Sequence, residues 1–290
     1  MLLGFTSDIH IDYHLEAAGL IAGVLAEQEP EVFVVAGDVT PDMHLLEKTL
    51  SILAEAKSRV LFVPGNHDLW CRSHRFGDEP PRGVDSLQRY EKVLPKVVSQ
   101  AGAVYLPGSP YIVEGIGFVG VTGWYDWSLR NVELEDVLPM EVLKTGKYSS
   151  LEWMDGVCSY WGGKDGVPWE PPVIVDYMAE KLNEGLSFLE PRVDRIVVVT
   201  HFFPYAGLSE PIGEPRHDFV LAHAGSSKFG RIIDGYSKVK RVISGHIHKP
   251  IHKKLRGDDL IFQSSPIGYP KEIALALFQH VRERVCVVNV

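Results

Sequence analysis

The run Val60-Leu61-Phe62-Val63-Pro64-Gly65-Asn66-His67-Asp68 changes character within a few residues. Apolar, strand-favouring side chains stop at a Pro-Gly pair. Polar side chains able to bind metal or carry protons follow at once. A short apolar run bounded by such a turn reads as a strand buried on both faces. In open α/β sheets, ligands lie beyond the carboxyl ends of strands of this kind. Asn66, His67 and Asp68 are therefore delivered to the rim of a sheet. One polar strand end proves little, but this one is repeated.

Working outward, residues 2–6 form an apolar run that ends in Ser7-Asp8-Ile9-His10, and residues 31–36 form another that ends in Gly37-Asp38. Further along, residues 195–199 lead into Thr200-His201, and residues 239–243 into Ser244-Gly245-His246-Ile247-His248. Between the first three runs, Leu15, Ala18, Leu20, Ile21, Val24 and Leu25 fall near helical spacing over 15–28, and residues 42–57 read as a second helix. Strand, helix, strand, helix, strand predicts βαβ units and a sheet that begins parallel. None of these turns carries GxGxxG or a P-loop, so a dinucleotide or Walker-type site is not supported. Asp42, after Thr40-Pro41, reads as the cap of the second helix.

The rest of the chain is less regular. Residues 71–83, rich in Gly, Pro, Arg and Asp, read as a loop, and residues 86–101 as a helix interrupted or bent at Pro95. Residues 103–105, 111–113 and 117–121 read as shorter strands, the last two joined by a hairpin turn at Glu114-Gly115. Helices are expected over 173–189 and 226–236, and strands over 251–255, 260–263 and 284–290. From about 123 to 172 lie Trp124, Trp127, Trp153, Trp161 and Trp169. This segment reads as an insertion over one edge of a single domain spanning 1–290, either a small aromatic core or a cap that shapes the substrate site.

Composition bounds the function. The chain has 290 residues, 45% of them hydrophobic, with a net charge of −9. A protein that grips extended nucleic acid carries a basic face. Here only Lys238, Lys240 and Arg241, then Lys249, Lys253, Lys254 and Arg256, cluster, and they read as solvated faces. Cys71, Cys158 and Cys286 are scattered without a CxxC pair, which argues against a disulfide framework or a thiolate zinc site. No apolar run approaches the ~20 residues of a membrane span. Residues 1–8 lack the features of a signal peptide. The expected location is the cytoplasm.

Asp8 and His10, Asp38, Asn66, His201, and His246 and His248 thus stand just past five apolar runs. In Asp8-x-His10 and His246-x-His248 a spacing of two keeps both side chains on one face of an extended segment. Carboxylate, imidazole and amide oxygen without thiolate suit Mn, Fe, Zn or Ni. Buried unpaired acids and imidazoles are costly, and metal ions between them remove that cost.

Asp8-x-His10, Gly37-Asp38, Gly65-Asn66-His67-Asp68, His201 and Gly245-His246-x-His248, in that order, resemble the signature of the calcineurin-like metallophosphoesterase superfamily. The resemblance spans residues 8 to 248. It implies an α/β fold, a four-layer α-β-β-α sandwich of two mixed sheets with flanking helices. It also implies two divalent or mixed-valence metal ions, Mn, Fe or Zn. One would be held by Asp8, His10, Asp38 and His248, the other by Asp38, Asn66, His201 and His246, with Asp38 bridging. His67 and Asp68 would be the catalytic candidates, His67 beside the leaving group and Asp68 orienting a neighbour.

The implied function is hydrolysis of a small phosphomonoester or phosphodiester by in-line attack of a metal-bridging hydroxide, with His67 as general acid. An imidazole of ordinary pKa near 6.5 suits that role. Protein phosphatases of the superfamily follow Gly-Asp with a Val-Asp-Arg-Gly type segment. The text here is Gly37-Asp38-Val39-Thr40-Pro41-Asp42, which resembles the simpler bacterial-type phosphoesterases instead. A nuclease is disfavoured by the acidic charge. A non-catalytic scaffold is disfavoured because every ligand position and the motif histidine are present. Tyr13, His14, Trp124, Tyr125 and Asp126 are further residues that could reach substrate. Phe202, Phe203 and Pro204 are expected to shape the turn after His201. His217 and His223 lie in a Gly- and Pro-bearing loop that could face the metals, with the surface the expected place for both.

Overall fold

The computed structural model describes residues 1–71, 83–162 and 167–290; the loop expected over 71–83 lies almost wholly outside these. In chain order the elements begin β1 (Leu2–Thr6), α1 (Ala17–Gln28), β2 (Val32–Ala36), α2 (Met43–Ala54), β3 (Arg59–Val63), α3 (Asn66–Leu69), α4 (Ser86–Gln88), α5 (Leu94–Gln100), β4 (Val104–Tyr105), β5 (Tyr111–Val113) and β6 (Ile116–Val121). They continue with α6 (Met140–Thr145), β7 (Lys147–Tyr148), β8 (Leu151–Glu152), α7 (Met154–Cys158), α8 (Pro171–Leu189), β9 (Arg195–Thr200), α9 (Pro215–Ala222), α10 (Ser227–Asp234), β10 (Val239–Ser244), β11 (Ile251–Leu255), β12 (Leu260–Ser264), α11 (Leu277–Arg284) and β13 (Cys286–Asn289).

The strands form two large sheets, ordered β13-β1-β2-β3-β4 and β11-β12-β10-β9-β6-β5. Each has a parallel centre; β13 runs against β1, β11 against β12, and β5 against β6, while the edge strand β4 is parallel to β3. Alternate side chains point to opposite faces of a strand, and that parity makes the layers. Leu3, Phe5, Val32, Val34, Leu61 and Val63 of the first sheet pack with Phe118, Val197, Val199 and Ile243 of the second. Their neighbours Phe33, Val35, Phe62, Val119, Val198 and Val242 face the helices instead. On one side α1 contacts α2 and α11; on the other α8 packs on β6 and α10 on α8. The result is the expected mixed α/β architecture of two sheets flanked by helices.

Local chemistry explains most boundaries. Asp42 does cap α2, its Oδ1 accepting the N–H groups of His44 and Leu45 at 2.9 Å. The helix expected over 86–101 is interrupted as Pro95 requires, by a π turn at Arg89–Val93 before α5. The hairpin falls at Glu114-Gly115, both with left-handed backbone. The short helices α3, α6, α7, α9 and α11 escape the sequence reading. The Glu214 side chain caps α9 and Pro215 starts it, so His217 and His223 leave the expected loop. Arg241 is also corrected. It is buried, not solvated, and bonds Gln263. Among the described residues, no helix is long and apolar enough to cross a membrane.

Candidate metal centre

Both sheets present strand ends to one place. The turns after β1 and β2 carry Asp8, His10 and Asp38, and Asn66 opens α3 directly after β3. His201 follows β9, and His246 and His248 follow β10. The backbone is bent hard to achieve this: φ is +52° at Asp8, +44° at His10, +57° at Asp38, +74° at His246 and +21° at His248. Left-handed backbone of this kind, in residues other than Gly, clusters at functional sites because it aims side chains where an extended chain cannot.

Close approach of the turns needs glycine. A Cβ on Gly37 would lie 2.5 Å from His201 Nδ1, and one on Gly65 would lie 2.1 Å from Asp38 Oδ1. The Gly of each Gly-Asp and Gly-Asn pair is therefore there because the next turn occupies its Cβ position.

The ligand-type atoms fall into two groups, each with all its atoms within 4.8 Å of one another. Asp8, His10, Asp38 and His248 make one, and Asp38, His201 and His246 the other. Asp38 belongs to both. In the first group His10 Nε2 and His248 Nε2 are 3.0 Å apart, and His248 Nε2 is 3.3 Å from Asp8 Oδ1. In the second, Asn66 Oδ1 lies 3.0 Å from His201 Nε2 and 3.2 Å from His246 Nδ1. Asp8, His10, His201 and Asp38 are almost wholly buried.

Electrostatics follow from that burial. Burial pushes His10 and His246 down to about 3, so both rings are neutral and offer a lone pair. At His201 burial opposes the charge, but Asp38 outweighs it and lifts the ring to about 9. At His248 burial is likewise outweighed, by Asp8 and then Glu272, and the ring rises to about 10. Burial raises the Asp38 carboxyl, yet the surrounding histidines, His201 first, hold it well below the usual range. Convergent carboxylates and imidazoles, with nitrogen pairs facing each other, fit a pair of cations by their donor chemistry.

A family model described as calcineurin-like phosphoesterase matches residues 1–250. The chain belongs to that family. Hydrolysis of phosphate esters is accordingly its reaction class, and a dinuclear metal centre is the family's cofactor. Among solved structures, the chain is similar to a phosphopantetheinyl hydrolase from Mycobacterium tuberculosis, with 21% identity, a TM-score of 0.61, and coverage of 93% of this chain and 90% of that one. It is also similar to a dimetal phosphatase from Danio rerio, with 14% identity, a TM-score of 0.51, and coverage of 91% and 86%. At these identities the likeness is one of fold. A comparison with proteins of curated function finds no match.

In this phosphoesterase the two motif residues beside Asn66 part company. His67 Nε2 lies 3.8 Å from Asp38 Oδ2 and 3.2 Å from the Tyr269 hydroxyl, and its backbone N–H donates to Asp38 Oδ1 at 2.9 Å. Its ring stacks on Trp70, centroids 3.6 Å apart. Burial lowers its pKa below the ordinary 6.5 that the sequence suggested, with Asp38 opposing. Asp68 does not reach the cleft. It is wholly buried, and its carboxylate accepts the N–H groups of Asp38, Val39, Thr40 and Gly65 at 2.8–3.0 Å. Burial and then the Asp38 charge raise its pKa, while those amides favour the ion. It ties the turn after β2 to the turn after β3.

A cleft of about 390 Å³ opens on the centre, reaching Asp38, Asn66, His67, His246 and His248. Its other wall includes Trp70, Trp153, Met154, Val220 and Ile247. The insertion therefore reaches the site through Trp153 and Met154, and not through Trp124 and Tyr125. Trp124 and Tyr125 are buried in the core, and Asp126 accepts from Ser226 Oγ. His14 is buried, facing the Gly268 carbonyl, and Tyr13 stands edge-on to Tyr269. Phe202 does shape its turn, packing 4.0 Å from the His246 ring. His223, expected at the surface, is the buried centre of the insertion's aromatic cluster, stacked on Trp153 and accepting from Trp127 Nε1.

Residues that sequence reasoning missed lie outside the motif blocks. Tyr269 stacks on His10 at 4.3 Å, and Glu272 Oε2 bonds His248 Nδ1 at 2.7 Å. Asp155 holds Asn66 and Trp70, and burial raises its pKa to about 6. The only sequence signal near Tyr269 and Glu272 is the Gly268-Tyr269-Pro270 turn.

Proposed function

We propose that the protein hydrolyses a small phosphate ester with two metal ions, Mn, Fe or Zn, held by Asp8, His10, Asp38 and His248 and by Asp38, Asn66, His201 and His246. The observation that carries this is the sharing of Asp38 between two ligand groups, with the His67 amide bonded to the same carboxylate. Two ions at such a site supply Lewis acidity and a water of lowered pKa at neutral pH.

The chain's own residues do the rest. Asp38, fixed by the Asp68 clamp on its backbone, keeps its charge between the two groups. Glu272 orients the His248 ring, as carboxylates commonly do for ligating histidines. His67 Nε2 faces the cleft, and from there it donates a proton to the leaving oxygen. Burial disfavours the charged ring and the negative charge of a bound phosphate ester favours it, so the ring takes a proton from solvent water and passes it to the leaving oxygen. Tyr269 holds that nitrogen in place and Trp70 holds the ring. The apolar wall of Trp153, Met154 and Val220 receives the leaving group, so the insertion serves as a substrate-shaping cap on one domain of residues 1–290.

The test is turnover of p-nitrophenyl phosphate against bis(p-nitrophenyl) phosphate by protein stripped of metal and reloaded with Mn²⁺. His67→Ala is the control. A monoester preference makes the protein a phosphatase, and a diester preference a phosphodiesterase. No turnover of either ester with metal bound overturns the catalytic reading.

A further inference from the structure

Asp155 lies in α7 of the insertion and is 2% exposed. One of its oxygens, Oδ1, accepts two hydrogen bonds of 2.8 Å, from Asn66 Nδ2 and from Trp70 Nε1. The other oxygen is buried without a hydrogen-bond partner among the described residues. Burying a half-satisfied carboxylate costs stability, and a packing role alone would be served better by an apolar side chain.

Its two bonds lead to opposite halves of the site. An amide side chain is nearly symmetric in shape but not in chemistry, with an accepting oxygen at one end and two donors at the other. A carboxylate only accepts. Asp155 therefore holds the NH₂ end of Asn66 and turns Oδ1 toward His201 Nε2 and His246 Nδ1. With the ends exchanged, donors would face the metal position. The second bond fixes the Trp70 indole, and His67 rests on that indole with centroids 3.6 Å apart. One oxygen thus sets a metal-facing ligand and the platform of the cleft-facing histidine.

We propose that Asp155 is a positioning residue through which the insertion makes the metal centre competent, acting on Asn66 directly and on His67 through Trp70. The inference rests on the dinuclear reading above. It adds that a segment outside the motif blocks is part of the centre's construction. Trp153 and Met154, its chain neighbours, wall the cleft that this centre opens into. The ordering of the cap and the ordering of the ligands therefore go together.

The test is calorimetric titration of metal-free protein with Mn²⁺, alongside kcat and KM for p-nitrophenyl phosphate at saturating Mn²⁺. In Asp155→Ala one of two sites weakens by about 10–100-fold, the usual effect of losing a ligand's outer partner, and kcat falls while the other site keeps its affinity. Asp155→Asn keeps a carbonyl oxygen to accept both bonds and recovers metal affinity. Trp70→Phe keeps a ring under His67 but loses the indole N–H; both metal affinities stay native while kcat drops.

Native affinity at both sites in a folded Asp155→Ala overturns the proposal. So does Asp155→Asn binding one ion about 10-fold or more weaker than native protein, or Trp70→Phe that loses metal. Should Asp155→Ala not fold, by circular dichroism and thermal melt, the last two outcomes still decide. Native protein that binds no Mn²⁺ overturns the dinuclear reading along with this one. Native protein with two sites and an unaffected Asp155→Ala overturns this one alone.

Discussion

The bodies and the ends of the strands obey opposite rules. Within β1, β2, β3 and β9, residues such as Phe5, Val34, Leu61 and Val198 are apolar and buried in parallel ladders. Two to four residues past the strand ends, Asp8, His10 and Asp38 are just as buried but polar, and their backbone lies in the left-handed region. Such residues each cost on the order of 1–3 kcal/mol, while each large side chain buried in a strand body contributes roughly 1.5–3 kcal/mol. The ends alone would not hold their shape. They persist because four rigid layers over-determine them, and cations at the centre would remove the repulsion among their buried donors.

On the proposed function the strand ends carry the chemistry and the strand bodies the stability, and that contrast can be broken. The largest effect is expected at Asp38. Asp38→Ala removes the carboxylate both groups share and should abolish binding of both ions, lowering turnover by more than about 10³-fold. Metal analysis and kinetics of the purified variant check this; a variant that keeps both ions breaks the two-group reading. Next is His67→Ala, expected to lose about 10²–10⁴-fold in kcat with both metals retained. Loss of metal together with rate would show a ligand in place of an acid.

In the strand bodies the balance reverses. Leu61→Ala should destabilise by about 2–5 kcal/mol, read as the urea midpoint, while kcat per folded molecule stays native. A large change in kcat would mean the bodies do more than support. The insertion lies between these cases. Burial depresses His223 to about 4, against an ordinary 6.5 when unfolded, so the native ring is neutral and the unfolded chain takes up the proton first. This stability is fully present above pH 6.5 and is lost as pH falls toward 4, by about 3 kcal/mol in all. Relative to His223→Leu, the native protein should lose that amount between pH 7 and 4; parallel curves would place the ring in water. The smallest effect is expected for Tyr269→Phe. It keeps the stack on His10 and loses one hydrogen bond to His67, about 1 kcal/mol or several-fold in kcat.

Much of the fold was legible because buried parallel strands write themselves as apolar runs. β1 and β3 fall on the boundaries that periodicity predicts, and the polar residue after each run is where the chain must leave the sheet. α9 was illegible for a physical reason: at eight residues it shows too few turns for a period to emerge, and its start depends on a Glu214 cap. His223 was misread with it, since the apolar Phe219-Val220-Leu221-Ala222 before it carries no mark of the aromatic cluster, distant along the chain, that buries it.

By itself the sequence determined that strand ends would carry Asp8, His10, Asp38, Asn66, His67, His201, His246 and His248, because run length and residue type are local properties. Pairing of the two sheets, the left-handed turns, and the meeting of Asp38 with both ligand groups were decided only by tertiary structure. So were the roles of Asp155, Tyr269 and Glu272. These residues sit far from the motifs along the chain and meet the site only through packing, which brings Asn66, His67 and His248 to 2.7–3.2 Å from them. A hydrogen bond across 89 residues, such as that of Asn66 to Asp155, leaves no periodicity to read.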